Sequence, residues 1–310
     1  MTATADMILE KRKARRRLTF WRVLAIVAVV IAIIAILPSF SGGMAGPHIA
    51  RVSINGVIFH DVDREKLIND LVDDDQVKAV VVAIDSPGGT LVGSEALYDG
   101  LRKVADKKPV VAVMSELAAS GGYMTAIAAD HIVARRNTLT GSIGVIMEAP
   151  NFAGLLEMVG VDVTRIKSAP LKAEPSPTTR PSPAAIAATQ DLIDDGFEWF
   201  KGLVAERRDL SGNALDRVTD GRVFSGNLAL ELGLIDALGD EQTALDWLQE
   251  EREIDADLKV LDRKWTKEAK QWPWSMLEDV SVAFSQPERI IRVSPRLYAV
   301  WNAPIGAYGR

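Results

Sequence analysis

Apolar residues along this chain keep two rhythms. Stretches such as 77–84 and 110–114 are short, unbroken and rich in β-branched residues, the pattern of a strand buried on both faces. Others repeat at helical spacing, most clearly over 184–210, where Ile186, Leu192, Ile193, Phe197, Phe200 and Val204 share one face. Taken in order, the pattern predicts a strand, a turn at Asn55-Gly56 and a short second strand over 49–59, then a helix over 63–74 and a strand over 77–84. A helix over 93–106, a strand over 110–114, a helix over 120–129 and a strand over 132–134 follow. Beyond them come a helix over 152–159, a strand over 161–166, the long helix, and shorter helices over 227–239 and 240–251. Strands alternating with helices in this way imply β-α-β units, a mostly parallel sheet and an α/β fold.

One apolar run obeys neither rhythm. Every residue from 23 to 37 is apolar, and the preceding 10–22 carry seven cations against Glu10. Residues 18–40 give 23 positions with Arg22 the only charge, enough at ~1.5 Å per residue to cross a hydrocarbon layer of ~30 Å. Residues 23–40 are therefore expected to be a transmembrane anchor in the lipid bilayer. The cations before it place the leader 1–22 in the cytoplasm and the rest of the chain outside. A cleaved signal peptide is the competing reading, and the long charged leader without an Ala-x-Ala pattern favours a retained anchor. Residues 41–48 read as a linker, 49–250 as the folded domain, and 251–310 as a tail holding Trp265, Trp272, Trp274 and Trp301.

Composition narrows the classes. With 310 residues, 48% of them apolar, the chain can bury a sizeable core. A net charge of −6 argues against a nucleic-acid partner, and the lack of cysteine excludes disulfides and thiolate chemistry. No H-E-x-x-H pattern, P-loop or G-x-G-x-x-G turn points to a metal or nucleotide, so no cofactor is expected.

The candidate chemistry lies where strands end in glycine turns. Ser120 follows the strand 110–114 and opens a helix beside Gly121 and Gly122, where backbone N–H groups lack internal partners. Such a serine is also the ordinary N-cap of a helix. A second turn, Ser86-Pro87-Gly88-Gly89, leaves further N–H groups at the carboxyl end of the strand 77–84. Thr138, Thr140 and Ser142 add three hydroxyls, which serve either the site or the local backbone. Of the three histidines, His131 lies across a helix from Ser120, His48 falls in the linker, and His60 remains open as a general base. A neutral lysine can replace histidine, and Lys172, among Pro170, Leu171 and Ala173 in a proline-rich loop, is either that base or a solvated charge.

Four motifs together, Leu117-Ala118-Ala119-Ser120-Gly121-Gly122-Tyr123, Asp85-Ser86-Pro87-Gly88-Gly89, Thr140-Gly141-Ser142-Ile143-Gly144-Val145 and Gly221-Arg222-Val223-Phe224-Ser225-Gly226, resemble the signal peptide peptidase A (protease IV) family of membrane-anchored serine peptidases. The resemblance runs over 49–248 and implies a crotonase/ClpP-like β-α-β superhelix preceded by one transmembrane helix. It implies a Ser-Lys dyad with Ser120 as nucleophile and Lys172 as general base. Backbone N–H groups of Gly89 and Gly121 would form the oxyanion hole, and Ser142 would orient the lysine. It also implies a homo-octamer whose dyads are shared between subunits, acting on signal peptides and other apolar exported peptides. The lysine loop departs from the family's Ser-Gly-x-x-Lys-Asp, with Ala169 and Ala173 replacing the glycine and the acid, and Lys167 competes with Lys172 for the role. A crotonase-type acyl-CoA enzyme and a catalytically altered membrane scaffold are the alternatives.

Overall fold

The computed structural model describes residues 21–27, 46–265 and the strand at 298–300. The chain divides into two units, 1–46 and 47–310. In the first, residues 21–27 are helical (α1) and exposed. Most of the expected anchor, residues 28–40, lies outside the described residues, and no described helix is long and apolar enough to cross a membrane.

The second unit begins with β1 (His48–Asn55), α2 (Val62–Asp73), β2 (Val77–Ser86), β3 (Gly88–Thr90), α3 (Leu91–Ala105), β4 (Val110–Ala119) and α4 (Gly121–Ala126). It continues through β5 (His131–Ala134), β6 (Leu139–Gly141), α5 (Ala153–Met158), α6 (Pro183–Arg208), α7 (Gly212–Val218), β7 (Val223–Ser225) and α8 (Gly226–Glu231). The last elements are β8 (Ala237–Leu238), α9 (Glu241–Arg252), β9 (Lys259–Arg263) and β10 (Tyr298–Val300). An eight-stranded mixed sheet runs β7-β6-β4-β2-β1-β9, with β5 and β8 branching from β4, while β10 pairs with β3 in a separate ribbon. The fold is α/β. All pairings in the large sheet are parallel except β6 with β7.

Alternate residues of each central strand feed opposite cores. Val80, Val82 and Ile84 of β2 join Leu97 and Leu101 of α3, Phe200 of α6 and Tyr123 of α4. Ala79 and Val81 face the other way, with Val111, Val113 and Val133, against Ala244 and Leu248 of α9. Helices thus cover both faces, which is why these strands read as unbroken apolar runs.

β4 is longer than the apolar run implied. Its pattern breaks at Ser115 and Glu116, both exposed, yet the strand continues to Ala119. The reason is a change of partner: Val111–Met114 pair with β5, whereas Leu117–Ala119 pair with β6. The strand expected over 161–166 does not form; the backbone there is irregular, and among the described residues no strand pairs with it. Past residue 250, where the sequence reading places a tail, β9 adds an edge strand parallel to β1, and Arg51 of β1 reaches Asp262 at 2.6 Å. His48 is the first residue of β1 and is buried with its ring 3.1 Å from Arg263, so it belongs to the folded unit and not to a linker.

Candidate active site

Three parallel strands, β2, β4 and β6, end side by side. Ser86 is level with Ala118, and Ala119 with Gly141, so the residues that follow, Gly88, Ser120 and Ser142, are gathered at one carboxyl edge of the sheet. This is where open α/β sheets place ligands.

Ser120 sits at the turn from β4 into α4. Its backbone adopts φ 55° and ψ −117°, a conformation non-glycine residues rarely hold and one that costs on the order of 1–3 kcal/mol. Hydrogen bonds on both sides fix it there. The Ser120 N–H donates to the Gly141 carbonyl at 2.8 Å, and the Ser120 carbonyl accepts from Met124 N–H at 2.9 Å. The side chain caps no helical N–H, and among the described residues no hydrogen bond engages its hydroxyl. The ordinary N-cap reading therefore does not describe this serine. The residue is 1% exposed, and its chain neighbours Ala119, Tyr123 and Met124 are fully buried.

Three glycines let the surrounding backbones close in. A methyl group on Gly89 would lie 1.8 Å from the Ile58 carbonyl oxygen, and one on Gly121 would lie 2.1 Å from Ser94 Oγ and 3.2 Å from the Gly89 nitrogen. One on Gly122 would lie 2.7 Å from the Ser86 carbonyl oxygen. The amides of Gly89 and Gly121 are thereby neighbours beside Ser120. Ile58 takes up one edge of β3, donating to the Gly88 carbonyl at 2.9 Å and accepting from Thr90 N–H at 2.8 Å. By strand alternation the Gly89 N–H and C=O face the opposite edge.

Ser86 holds this turn and was not singled out by sequence reasoning. Fully buried, its hydroxyl donates to the Gly56 carbonyl at 2.7 Å and accepts from Gly88 N–H at 3.0 Å. It ties the turn after β1 to the turn after β2. The signal was present in the Ser-Pro-Gly-Gly string, since a serine before a sharp turn commonly bonds the backbone two residues on.

The three hydroxyls after β5 divide. Thr138 donates to the Ser115 carbonyl at 2.5 Å and Thr140 to the Ala118 carbonyl at 2.7 Å, so both serve the backbone of β4 where it changes partner. Ser142 is different. It has φ 49°, its N–H donates to the Arg222 carbonyl at 2.8 Å, and its hydroxyl carries no hydrogen bond among the described residues. The Gly221-Arg222-Val223-Phe224-Ser225-Gly226 motif thus acts through its backbone, bracing Ser142.

The proline-rich loop separates the two lysines. Glu174 accepts from Lys167 Nζ at 2.6 Å and Arg165 at 2.9 Å, and its carboxylate also receives Ser176 N–H at 3.1 Å. The Lys167 hydrogen bond, aided by the nearby cations, holds the Glu174 carboxyl below the usual range. Lys167 is therefore committed to the loop's own framework. Lys172 is exposed, two residues before that glutamate, and no ion pair engages it among the described residues. No hydrogen bond joins Lys172 to Ser120 or Ser142 within this chain.

The histidines stand apart. His131 is level with Val111 at the opposite end of β4, where it stacks on Trp247 at 4.6 Å and lies 3.9 Å from Asp236. His60 pairs with Glu65 at 3.4 Å on the exposed side of α2.

The sequence matches peptidase family S49 over residues 102–255. A putative protease of Synechocystis sp. is 40% identical over 69% of this chain and 78% of its own length. A putative signal peptide peptidase SppA of Enterococcus faecium is 33% identical over 72% of this chain and 68% of its own. A solved ClpP1 mutant from Listeria monocytogenes, 20% identical, aligns over 61% of this chain and 91% of its own at a TM-score of 0.41.

Proposed function

The chain belongs to peptidase family S49, and on that premise we propose that it is a membrane-anchored serine endopeptidase with a Ser-Lys dyad, acting on cleaved signal peptides and other apolar exported peptides. The observation that carries this reading is Ser120 itself, strained at φ 55° with its hydroxyl unspent beside the amides of Gly89 and Gly121. A serine meant only to cap α4 has no need of that conformation.

In this mechanism Ser120 Oγ attacks the scissile carbonyl while Lys172 takes its proton. The tetrahedral oxyanion accepts from the Gly89 and Gly121 N–H groups, each such donor being worth roughly 10²–10³ in rate. Collapse expels the amine, which receives the proton from Lys172. Water, deprotonated by the same lysine, then releases the acyl group. Ser142 orients the amine. The base acts as the free amine, at an apolar seam between copies.

That seam is the reason to place the lysine of one copy against the serine of another. Around Lys172 the chain exposes Phe152, Leu155, Met158, Val159, Ile166 and Leu171, with Ile166 97% and Met158 82% accessible, a surface a lone domain rarely leaves open. A homo-octamer would cover it. The cationic leader and the apolar run 23–40 support anchoring, with the site held on the far side of the inner membrane where signal peptides are left.

Ser120→Ala should abolish hydrolysis of an apolar peptide, a loss of at least ~10⁴-fold, while the fold persists. Labelling of wild-type protein by a fluorophosphonate, lost in Ser120→Ala and weakened in Lys172→Ala, tests nucleophile and base together. Turnover that survives Ser120→Ala would end this reading.

A further inference from the structure

α2 buries Arg64, Ile68 and Leu71 at the i, i+4 and i+7 spacing of a core-facing stripe, yet the first of the three is an arginine, 7% exposed. Burying a guanidinium costs free energy that a paired carboxylate usually offsets. The nearest acid in the chain, Asp61, is taken up as the helix cap, accepting the Asp63 and Arg64 backbone N–H groups at 3.0 and 3.3 Å. Among the described residues no carboxylate forms an ion pair with Arg64; its Nη2 donates instead to the Phe59 carbonyl, with its Cζ over the Trp265 ring at 5.8 Å.

The Phe59 carbonyl belongs to the arm 56–60 that frames the glycine turn beside Ser120. At the near end Gly56 donates its N–H to the Asp85 carbonyl at 2.9 Å and accepts the Ser86 hydroxyl at 2.7 Å. At the middle Ile58 bridges Gly88 and Thr90. At the far end residues 59–61 have no regular structure, and Arg64 holds them. The neighbouring His60–Glu65 pair is exposed on both sides, where solvent leaves such a pair little strength.

We propose that Arg64 is a positioning residue for the oxyanion hole, acting through the Phe59 carbonyl and Ile58 on the Gly89 amide. The proposal rests on the peptidase reading for what that amide does. Contact transmits the effect: a methyl group on Gly89 would lie 1.8 Å from the Ile58 carbonyl oxygen, so the two backbones touch and a shift of one displaces the other. From the far side a methyl group on Gly93 would lie 2.7 Å from the Phe59 carbonyl carbon, so the Phe59 peptide is gripped between α3 and the guanidinium. The residue type fits the task. An arginine can spend one N–H on a carbonyl while its charge lies over an indole ring, whereas an apolar residue would continue the Ile68–Leu71 stripe but hold nothing. Such precision matters because a misplacement of about 1 Å at a reacting centre costs roughly 10² in rate.

The test uses the full chain with Arg64→Met, which keeps the unbranched reach and removes the donors. For an apolar fluorogenic peptide kcat should fall about tenfold with KM unchanged, since the amide acts on the transition state and not on the bound peptide. Arg64→Lys, which keeps a donor, should lose only about threefold at the same KM, and it carries the test alone if Arg64→Met does not fold. A peptide boronate, which forms a tetrahedral adduct on serine, should bind Arg64→Met about tenfold more weakly. Placed on Gly89→Ala, whose amide is already displaced, Arg64→Met should add nothing further. A folded Arg64→Met with wild-type kcat, or a loss that persists undiminished on Gly89→Ala, would overturn the assignment and leave the peptidase standing. Should the wild-type chain hydrolyse nothing, the peptidase reading falls by itself. The clamp is then judged by amide exchange: faster exchange at Ile58 and Thr90 in Arg64→Met upholds it, and unchanged exchange overturns it.

Discussion

The corner that holds Ser120 and the loop that holds Lys172 are built on opposite principles. At the corner, three strand ends, three glycines and a buried serine fix the backbone, and among the described residues the Ser120 and Ser142 hydroxyls carry no hydrogen bond while the Ser86 hydroxyl is bonded within the fold. The loop has almost no regular structure. It is held by polar contacts: Glu174 to Lys167 and Arg165, Asn151 Nδ2 donating to the Thr179 carbonyl at 2.6 Å, and Phe152 N–H donating to the Pro177 carbonyl at 2.7 Å. Its apolar side chains point to solvent. The difference teaches that half of the candidate machinery is fixed within one chain, while the other half lies in a loop that leaves its apolar side chains exposed.

The sharpest way to break this contrast is to disturb the fixed half. Gly89→Ala would press a methyl group into the Ile58 carbonyl and displace the amide, and should cost about 10²–10³ in kcat, read with the same peptide substrate. Ile166→Asp strikes the exposed half. It should leave circular dichroism unchanged but shift the mass seen by light scattering toward the single chain, with activity falling on the order of tenfold or more as shared sites are lost.

A smaller effect is expected from Ser86→Ala. The Gly88 N–H and Gly56 carbonyl would lose a buried partner, costing about 1–3 kcal/mol. Thermal unfolding should drop by about 2–4 °C for each kcal/mol lost. Mildest is Glu174→Gln. Because the folded carboxyl titrates below its usual range, its ion pairs hold the loop above the ordinary glutamate pKa, and that contribution is lost as pH falls through the depressed value. Amide exchange over 165–176 should be faster in the variant at pH 7, and the two proteins should converge once the pH has fallen through the depressed value.

How much of this could be read beforehand follows the same division. The central strands were legible because both faces are buried and alternation disappears into unbroken runs, as at Val80–Ile84. Ser120 was legible from its glycines. Its conformation was not, because φ is set by the Gly141 carbonyl and α4 together, a tertiary fact. β4 ran past its apolar stretch because β6 supplied new partners for Leu117–Ala119, and no local pattern encodes a partner. The stretch 161–166 failed the other way, having strand composition and, among the described residues, no strand paired with it. Thr138, Thr140 and Ser142 looked alike in sequence and were separated only by which carbonyls of β4 lay within reach.

The hydrogen bond from the Ser142 N–H to the Arg222 carbonyl brings the two ends of the intervening stretch together, yet α6 within it sends Phe200 and Val204 into the same core as Tyr123. A cassette transplanted from a relative between those two points to re-aim the lysine would therefore have to keep both that hydrogen bond and the apolar face of α6.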